Sequence, residues 1–196
     1  MARQIFLLFV FISCNNHVDD NIEQHSILNQ EDVEVYLLNI LNDKRGYFME
    51  SFQKQFIDEN FSDFNFVQEN ECCSSFGVLR GLHFQKPPYS QAKIIRVIEG
   101  EILDVAVDLR HKSKTYGKHE SIILSGENKK QFFIPRGFAH GFITLSKKAT
   151  IIYKVDNCYS AKHDSGIIYN DSSLQIDWML NKNEFNISDR DLKLKS

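Results

Sequence analysis

The chain has 196 residues, 42% of them hydrophobic and 25% charged, with a formal net charge of −3. That length and balance exclude a disordered chain and support one domain with a real core. The slight negative charge excludes general nucleic-acid binding, so any anion recognition must be local.

The amino end reads MARQ, then the apolar run IFLLFVFIS (5–13), then Cys14. A basic start and a short apolar run resemble a signal segment, and the ending Ser–Cys faintly resembles a lipoprotein cleavage site. The run is too short to span a bilayer comfortably. Three readings stay open for residues 1–14: an export or lipid-anchor leader, a misassigned start codon, or a first strand packed on a partner subunit. Residues 1–31 are read as an N-terminal extension and 32–196 as a single domain. From Val33 the chain is strand-like through VEVYLLNIL, turns at NDKRG (42–46) and resumes as YFMESF. QKQFIDENF, within 52–61, suits a short helix. NFVQENECCSS (65–75) starts as a strand and ends as a polar loop. GVLRGLHFQ (77–85) is a strand followed by a loop holding Pro87 and Pro88. Six short strands with turns between them then cover 93–157: KIIRVIEG, EILDVAVDLR, ESIILSGEN, KQFFIPRG, AHGFITLSK and ATIIYKVDN. Such spacing predicts an antiparallel sandwich or barrel. The tail from Asn181 is polar with apolar punctuation and predicts a helical turn or two. Cys14, Cys72, Cys73 and Cys158 form no C-x-x-C pair, which points to reduced thiols in a cytosolic protein.

Two stretches carry chemistry. GVLRGLHFQKPPYSQAK (77–93) and IPRGFAHGF (134–142) resemble the half-motifs of a cupin barrel, with one telling change. A metal cupin spaces its first motif G-x5-H-x-H and then E-x6-G. Here Gly77 stands six before His83, but Gln85 replaces the second histidine. Lys93 stands seven before Gly100, where the glutamate ligand belongs. Zinc and iron sites want imidazole and carboxylate, and an ammonium repels a dication. The reading is a pocket without a metal, holding a set for proton transfer beside an anion. His83 on its apolar strand is either a satisfied core histidine or a base near neutrality whose carbanion product is held by fixed cations. Arg80 points to the opposite face of a regular strand, unless a bulge at Gly81 turns both into one pocket. Tyr159 is a corner tyrosine or a general acid. Asp191 is a solvated carboxylate or the partner that orients His83. His140 closes a tight turn or bonds a substrate oxygen. Arg45 and Glu50 are exposed, or they reach phosphate and base from a loop over the barrel mouth.

On DKRGYFMESF, FVQEN, GVLRGLHFQ, QAKIIRV, GEILDVAVDLR, NKKQFFIPRGFAHGF, YKVDNCYS and NDSSLQIDW, the sequence resembles the dTDP-4-dehydrorhamnose 3,5-epimerase family over roughly residues 33–191. The resemblance implies a mainly β, antiparallel jelly-roll barrel of the cupin kind with a few short peripheral helices. It further implies a cytoplasmic homodimer using no cofactor and no metal, in dTDP-rhamnose biosynthesis. The substrate it implies is dTDP-4-dehydro-6-deoxy-glucose, inverted at carbons 3 and 5 beside the carbon 4 ketone. His83 would be the base, Asp191 its partner, Lys93 the holder of the enolate oxygen with Arg80 close by, and Tyr159 the acid on the other face. Arg45, Glu50, Gln68, Asn70 and His140 would line the nucleotide-sugar site. The chain departs from the family pattern at Cys158, Ala161 and Tyr169, at Glu71 and Cys72, and by one residue of register at Asp191. These departures blur stereochemical scope, so a single-carbon epimerase and a decayed sugar-binding barrel remain as alternatives.

Overall fold

The computed structural model describes residues 33–36 and 39–195; the apolar run, Cys14 and the rest of the extension lie outside the described residues. The strands are β1 (Glu34–Tyr36), β2 (Ile40–Asp43), β3 (Gly46–Met49), β4 (Gln68–Ser75), β5 (Val78–Gln85), β6 (Lys93–Glu99), β7 (Glu101–Asp108), β8 (His119–Ser125), β9 (Gln131–Ile134), β10 (Phe138–Thr144), β11 (Lys148–Val155), β12 (Asp164–Gly166) and β13 (Asn186–Ile187). One helix, α1 (Lys54–Asn60), follows β3. One sheet runs β1-β9-β6-β11-β4 and the other β12-β5-β10-β7-β8, with β13 beside β5 and β2-β3 as a separate hairpin. Apart from parallel β13, every strand pairing is antiparallel. The fold is the mainly β, cupin-like jelly roll that the sequence predicts.

Alternation along each strand sorts its side chains between two layers. Ile95, Val97, Phe132, Ile134 and Ile151 from one sheet meet Ile102, Ala106, Phe138 and Phe142 from the other, and these fill the barrel. The outer face of the second sheet carries Leu103, Val105, Val107, Ala139 and Ile143. Leu174 and Trp178 of the C-terminal segment cover it. The first sheet turns Ile94 and Phe133 outward under Ile57 and Phe61 of the α1 region. Both faces of β7 and β10 are therefore covered, which explains their near-continuous apolar sequences.

The structure departs from the expected elements at β4 and at the short strands β12 and β13. QENECCSS is a strand to its end at Ser75, not a loop. It is an edge strand, so Glu69, Glu71 and Cys73 face solvent without cost while Gln68, Asn70 and Cys72 face the barrel. Short β12 was not expected. The tail forms the expected helical turns as two 3-10 turns, Lys182–Glu184 and Asp191–Lys193, with an unexpected short strand, β13, between them.

β5 is irregular where the sequence allowed for it. His140 of β10 stands opposite His83 while Phe142 stands opposite Arg80, so two steps on β10 answer three on β5. This bulge puts Arg80 and His83 on the same, inward face and sends Leu79 and Leu82 outward. Gly81 makes it possible: its φ is +122°, and a Cβ there would lie 2.6 Å from the Gly141 Cα. Gly81→Ala should therefore cost about 2 kcal/mol and lower Tm by roughly 6 °C. An unchanged melting temperature would show that the bulge tolerates a side chain.

Candidate active site

Polar side chains interrupt the apolar interior at one region. β5 contributes Arg80, His83 and Gln85, β10 contributes His140, β7 contributes Asp104, and β6 contributes Lys93 from the opposite sheet. β4 borders them with Gln68 and Asn70, whose side chains bond each other at 2.8 Å. Tyr153 of β11 stands beside Asn70 on the same inward face.

His83 Nε2 lies 2.7 Å from Asp191 Oδ1. The 3-10 turn that opens at Asp191 brings this carboxylate back to β5, where it is 4% exposed and also accepts the Gly81 N–H at 3.3 Å. A carboxylate facing Nε2 holds the proton there, which leaves the Nδ1 lone pair free to act as a base. Burial lowers the His83 pKa, and the Lys93 and Arg190 charges push the same way. The Asp191 hydrogen bond and charge oppose them. The neutral, base-competent imidazole is thus the favoured form.

Lys93 is half-buried. Burial pushes its ammonium down to about 8, against the opposing pull of Asp104 and Asp164. Its Nζ lies 3.5 Å from His140 Nδ1, and His140 Nε2 lies 2.6 Å from Asp104 Oδ1. The second Asp104 oxygen is buried without a hydrogen-bond partner. Lys93, His140 and Asp104 form a line that fixes the cation against the barrel wall. Sequence reasoning missed Asp104, although an aspartate inside the apolar run EILDVAVD was a readable signal. Arg80 donates from Nε to Ser74 Oγ at 3.1 Å, between the two sheets.

Tyr159 stands on the loop after β11, 58% exposed, and its hydroxyl donates to Asp164 Oδ2 at 3.0 Å. That hydrogen bond, with the Asp164 charge, raises the phenol pKa and keeps its proton in place. Asp164 also pairs with Arg190, the neighbour of Asp191. Asp164 was not anticipated, and nothing in its sequence context marks it. Arg45 and Glu50 do not join this cluster. Arg45 is bound to Asp43 within the β2–β3 hairpin with 83% of its side chain exposed. Met49 of that hairpin meets Arg96, whose place on β6 is outward. Among the described residues, no group of three or more His, Cys, Asp or Glu could hold a metal ion.

A base oriented by a buried carboxylate, with a cation facing the same cavity, is equipped to remove a proton beside a carbonyl and to hold the resulting oxyanion. The profile of dTDP-4-dehydrorhamnose 3,5-epimerases matches residues 28–196. The chain belongs to this family. It is 48% identical over 157 residues to the dTDP-4-dehydrorhamnose 3,5-epimerase of Methanothermobacter thermautotrophicus, covering 80% of this chain and 84% of that protein. It is 47% identical over 148 residues to the enzyme of that description from Shigella flexneri, covering 75% and 82%. A solved dTDP-6-deoxy-D-glucose-3,5-epimerase from Legionella pneumophila Philadelphia 1, in complex with dTDP-4-keto-L-rhamnose, superposes with a TM-score of 0.82 at 42% identity, covering 87% and 91%. A cupin-like jelly roll is also the fold of the solved epimerases the chain matches.

Proposed function

We propose that the protein inverts carbons 3 and 5 of dTDP-4-dehydro-6-deoxy-glucose, supplying dTDP-rhamnose biosynthesis. The observation that carries this reading is the His83–Asp191 pair on the inward face of β5, with Lys93 turned to the same barrel interior and its charge acting on His83. His83 takes the proton next to the carbon 4 ketone, and the electron pair moves onto the ketone oxygen. The Lys93 ammonium pairs with that oxygen as its charge develops, a stabilisation greater for the enolate than for the ketone. Tyr159 returns a proton to the opposite face of the same carbon and is reset by solvent. Gln68, Asn70, Arg80 and His140 line the sugar and diphosphate, where the Arg80 fork suits a phosphate. Lys93 supplies the positive charge that a metal would bring, which supports a reaction without metal or cofactor.

The active unit in this reading is a cytoplasmic homodimer of domain 32–196. Support comes from the β2–β3 hairpin, which exposes Leu41, Tyr47 and Phe48 while holding Arg45 against Asp43. Among the described residues no helix is long and apolar enough to cross a membrane.

Incubation with substrate in heavy water, read by NMR, tests the assignment. Label at carbons 3 and 5 with inverted product is expected. Label at one carbon would move the protein to single-carbon epimerisation, and no label would revive the sugar-binding barrel. Tyr159→Phe should retain exchange within about threefold while inversion falls on the order of 10²-fold. Equal loss of the two would make Tyr159 a structural residue.

A further inference from the structure

We propose that Gln85 is the positioning residue for Tyr159, tying the acid to the strand that carries the base. The inference rests on the reading of Tyr159 as the proton donor. Gln85 sits two residues beyond His83 on β5 and faces the same inward side. It is 7% exposed, and its buried amide makes three hydrogen bonds. Its Nε2 donates to the Tyr89 carbonyl at 2.8 Å and to the Cys158 carbonyl at 3.2 Å. Its Oε1 accepts the Ser160 N–H at 2.6 Å. Cys158 and Ser160 are the two neighbours of Tyr159, so a single buried amide grips the backbone on both sides of it.

The rest of the loop explains why this grip matters. Residues 156–163 belong to no strand, and the Tyr159 side chain has one hydrogen bond, to Asp164. Gln85 also joins this loop to the Pro87–Pro88 loop through Tyr89. Further bonds support that seam: Gln91 Nε2 to the Asn157 carbonyl at 2.7 Å, Asn157 Nδ2 to the Pro88 carbonyl at 3.2 Å, the Lys86 N–H to the His163 carbonyl at 2.8 Å and the Ala92 N–H to Asp156 Oδ1 at 2.6 Å. None of these touches the peptide groups flanking Tyr159. The chemistry of the position is specific to a side-chain amide. Two carbonyls require two donated hydrogens and one N–H requires an acceptor, and only an amide supplies both from one planar group. A carboxylate can only accept, and a neutral imidazole offers one donor and one acceptor. That demand gives a physical reason for glutamine where metal cupins place their second histidine. An acid must meet its carbon within a fraction of an ångström, and a 1 Å displacement costs about 10²-fold in rate.

The test measures inversion and solvent exchange in the same heavy-water reaction, so that their ratio isolates protonation from deprotonation. Gln85→Glu should lower the inversion-to-exchange ratio by about 10- to 100-fold at neutral pH. The ratio should recover as pH falls, because a protonated glutamic acid regains one donor toward the carbonyls. Gln85→Met, of similar volume but unable to bond, should show the loss at every pH. A second copy of the loss in Gln85→Glu/Tyr159→Phe should be absent, since both changes act through the same proton donor. Thermal melting of each variant identifies any that unfolds, and the other variant then carries the comparison. If Tyr159→Phe lowers the ratio but neither Gln85 variant does, the Gln85 role is overturned and the acid reading stands. Exchange and inversion falling together in both Gln85 variants would also overturn it, as a purely structural effect. A normal ratio in Tyr159→Phe would overturn the acid reading and the Gln85 role with it.

Discussion

Replacing His83 with alanine should abolish solvent exchange at both sugar carbons and lower turnover by about 10³-fold. No other neutral imidazole in the pocket can take its place. His140 is held between Lys93 on one nitrogen and Asp104 on the other, so neither of its nitrogens is free to accept a carbon-bound proton. The variant also leaves Asp191 buried with only the Gly81 N–H for company. A buried carboxylate deprived of its partner costs stability, so circular dichroism must accompany the assay. Retained exchange at carbons 3 and 5 in a folded variant would remove His83 from the role of base.

Lys93→Met should lower kcat by about 10²- to 10³-fold, because the ketone oxygen loses its counter-charge when the proton leaves. It should also reshape the pH profile. In the proposed mechanism the active state has His83 neutral and Lys93 charged. Activity therefore rises as pH climbs through the His83 pKa, which burial sets below the usual imidazole value. It falls again as pH passes about 8, where buried Lys93 loses its proton. With methionine at this position the alkaline fall should disappear. The acid limb should move upward, since the Lys93 charge is one of the forces holding the His83 pKa down. An alkaline limb that survives in Lys93→Met would assign it to another group, such as Tyr159.

The barrel was legible because its strands are short, apolar and separated by turns, and alternation assigns inward and outward faces without knowledge of partners. β4 was the exception. Edge position and a polar pocket remove the apolar signal on both faces, so the end of NFVQENECCSS reads as a polar loop. Within the site, His83, Lys93 and His140 were legible because the cupin spacing places them, and the glycine before Leu82 flagged the bulge that turns Arg80 inward. The partnerships were not legible from spacing: the family resemblance alone paired Asp191 with His83, and the Asp104–His140 pair was not expected. His83 and Asp191 are 108 positions apart, and Asp104 reaches His140 across 36. Periodicity reports which face a residue takes and carries no information on which distant strand will lie against it. For Arg45 and Glu50 the sequence suggested a loop over the mouth, but within one chain that loop is a hairpin on the outside of the first sheet.

The long reach from His83 to Asp191 has a bearing on how this protein acquires activity. Loops of such length close late, since chain entropy must be spent before the contact is rewarded. Of the named strands only β13 belongs to the segment that delivers Asp191, whereas in the proposed mechanism the base is oriented only once that segment has docked. Trp178, the sole tryptophan, is 5% exposed within the same segment, and its indole nitrogen donates to the Tyr169 carbonyl at 2.9 Å. Its fluorescence is a built-in clock for that docking. Formation of β1 to β12 and the onset of catalysis should therefore separate in refolding, with an optical signal native to the chain marking the second.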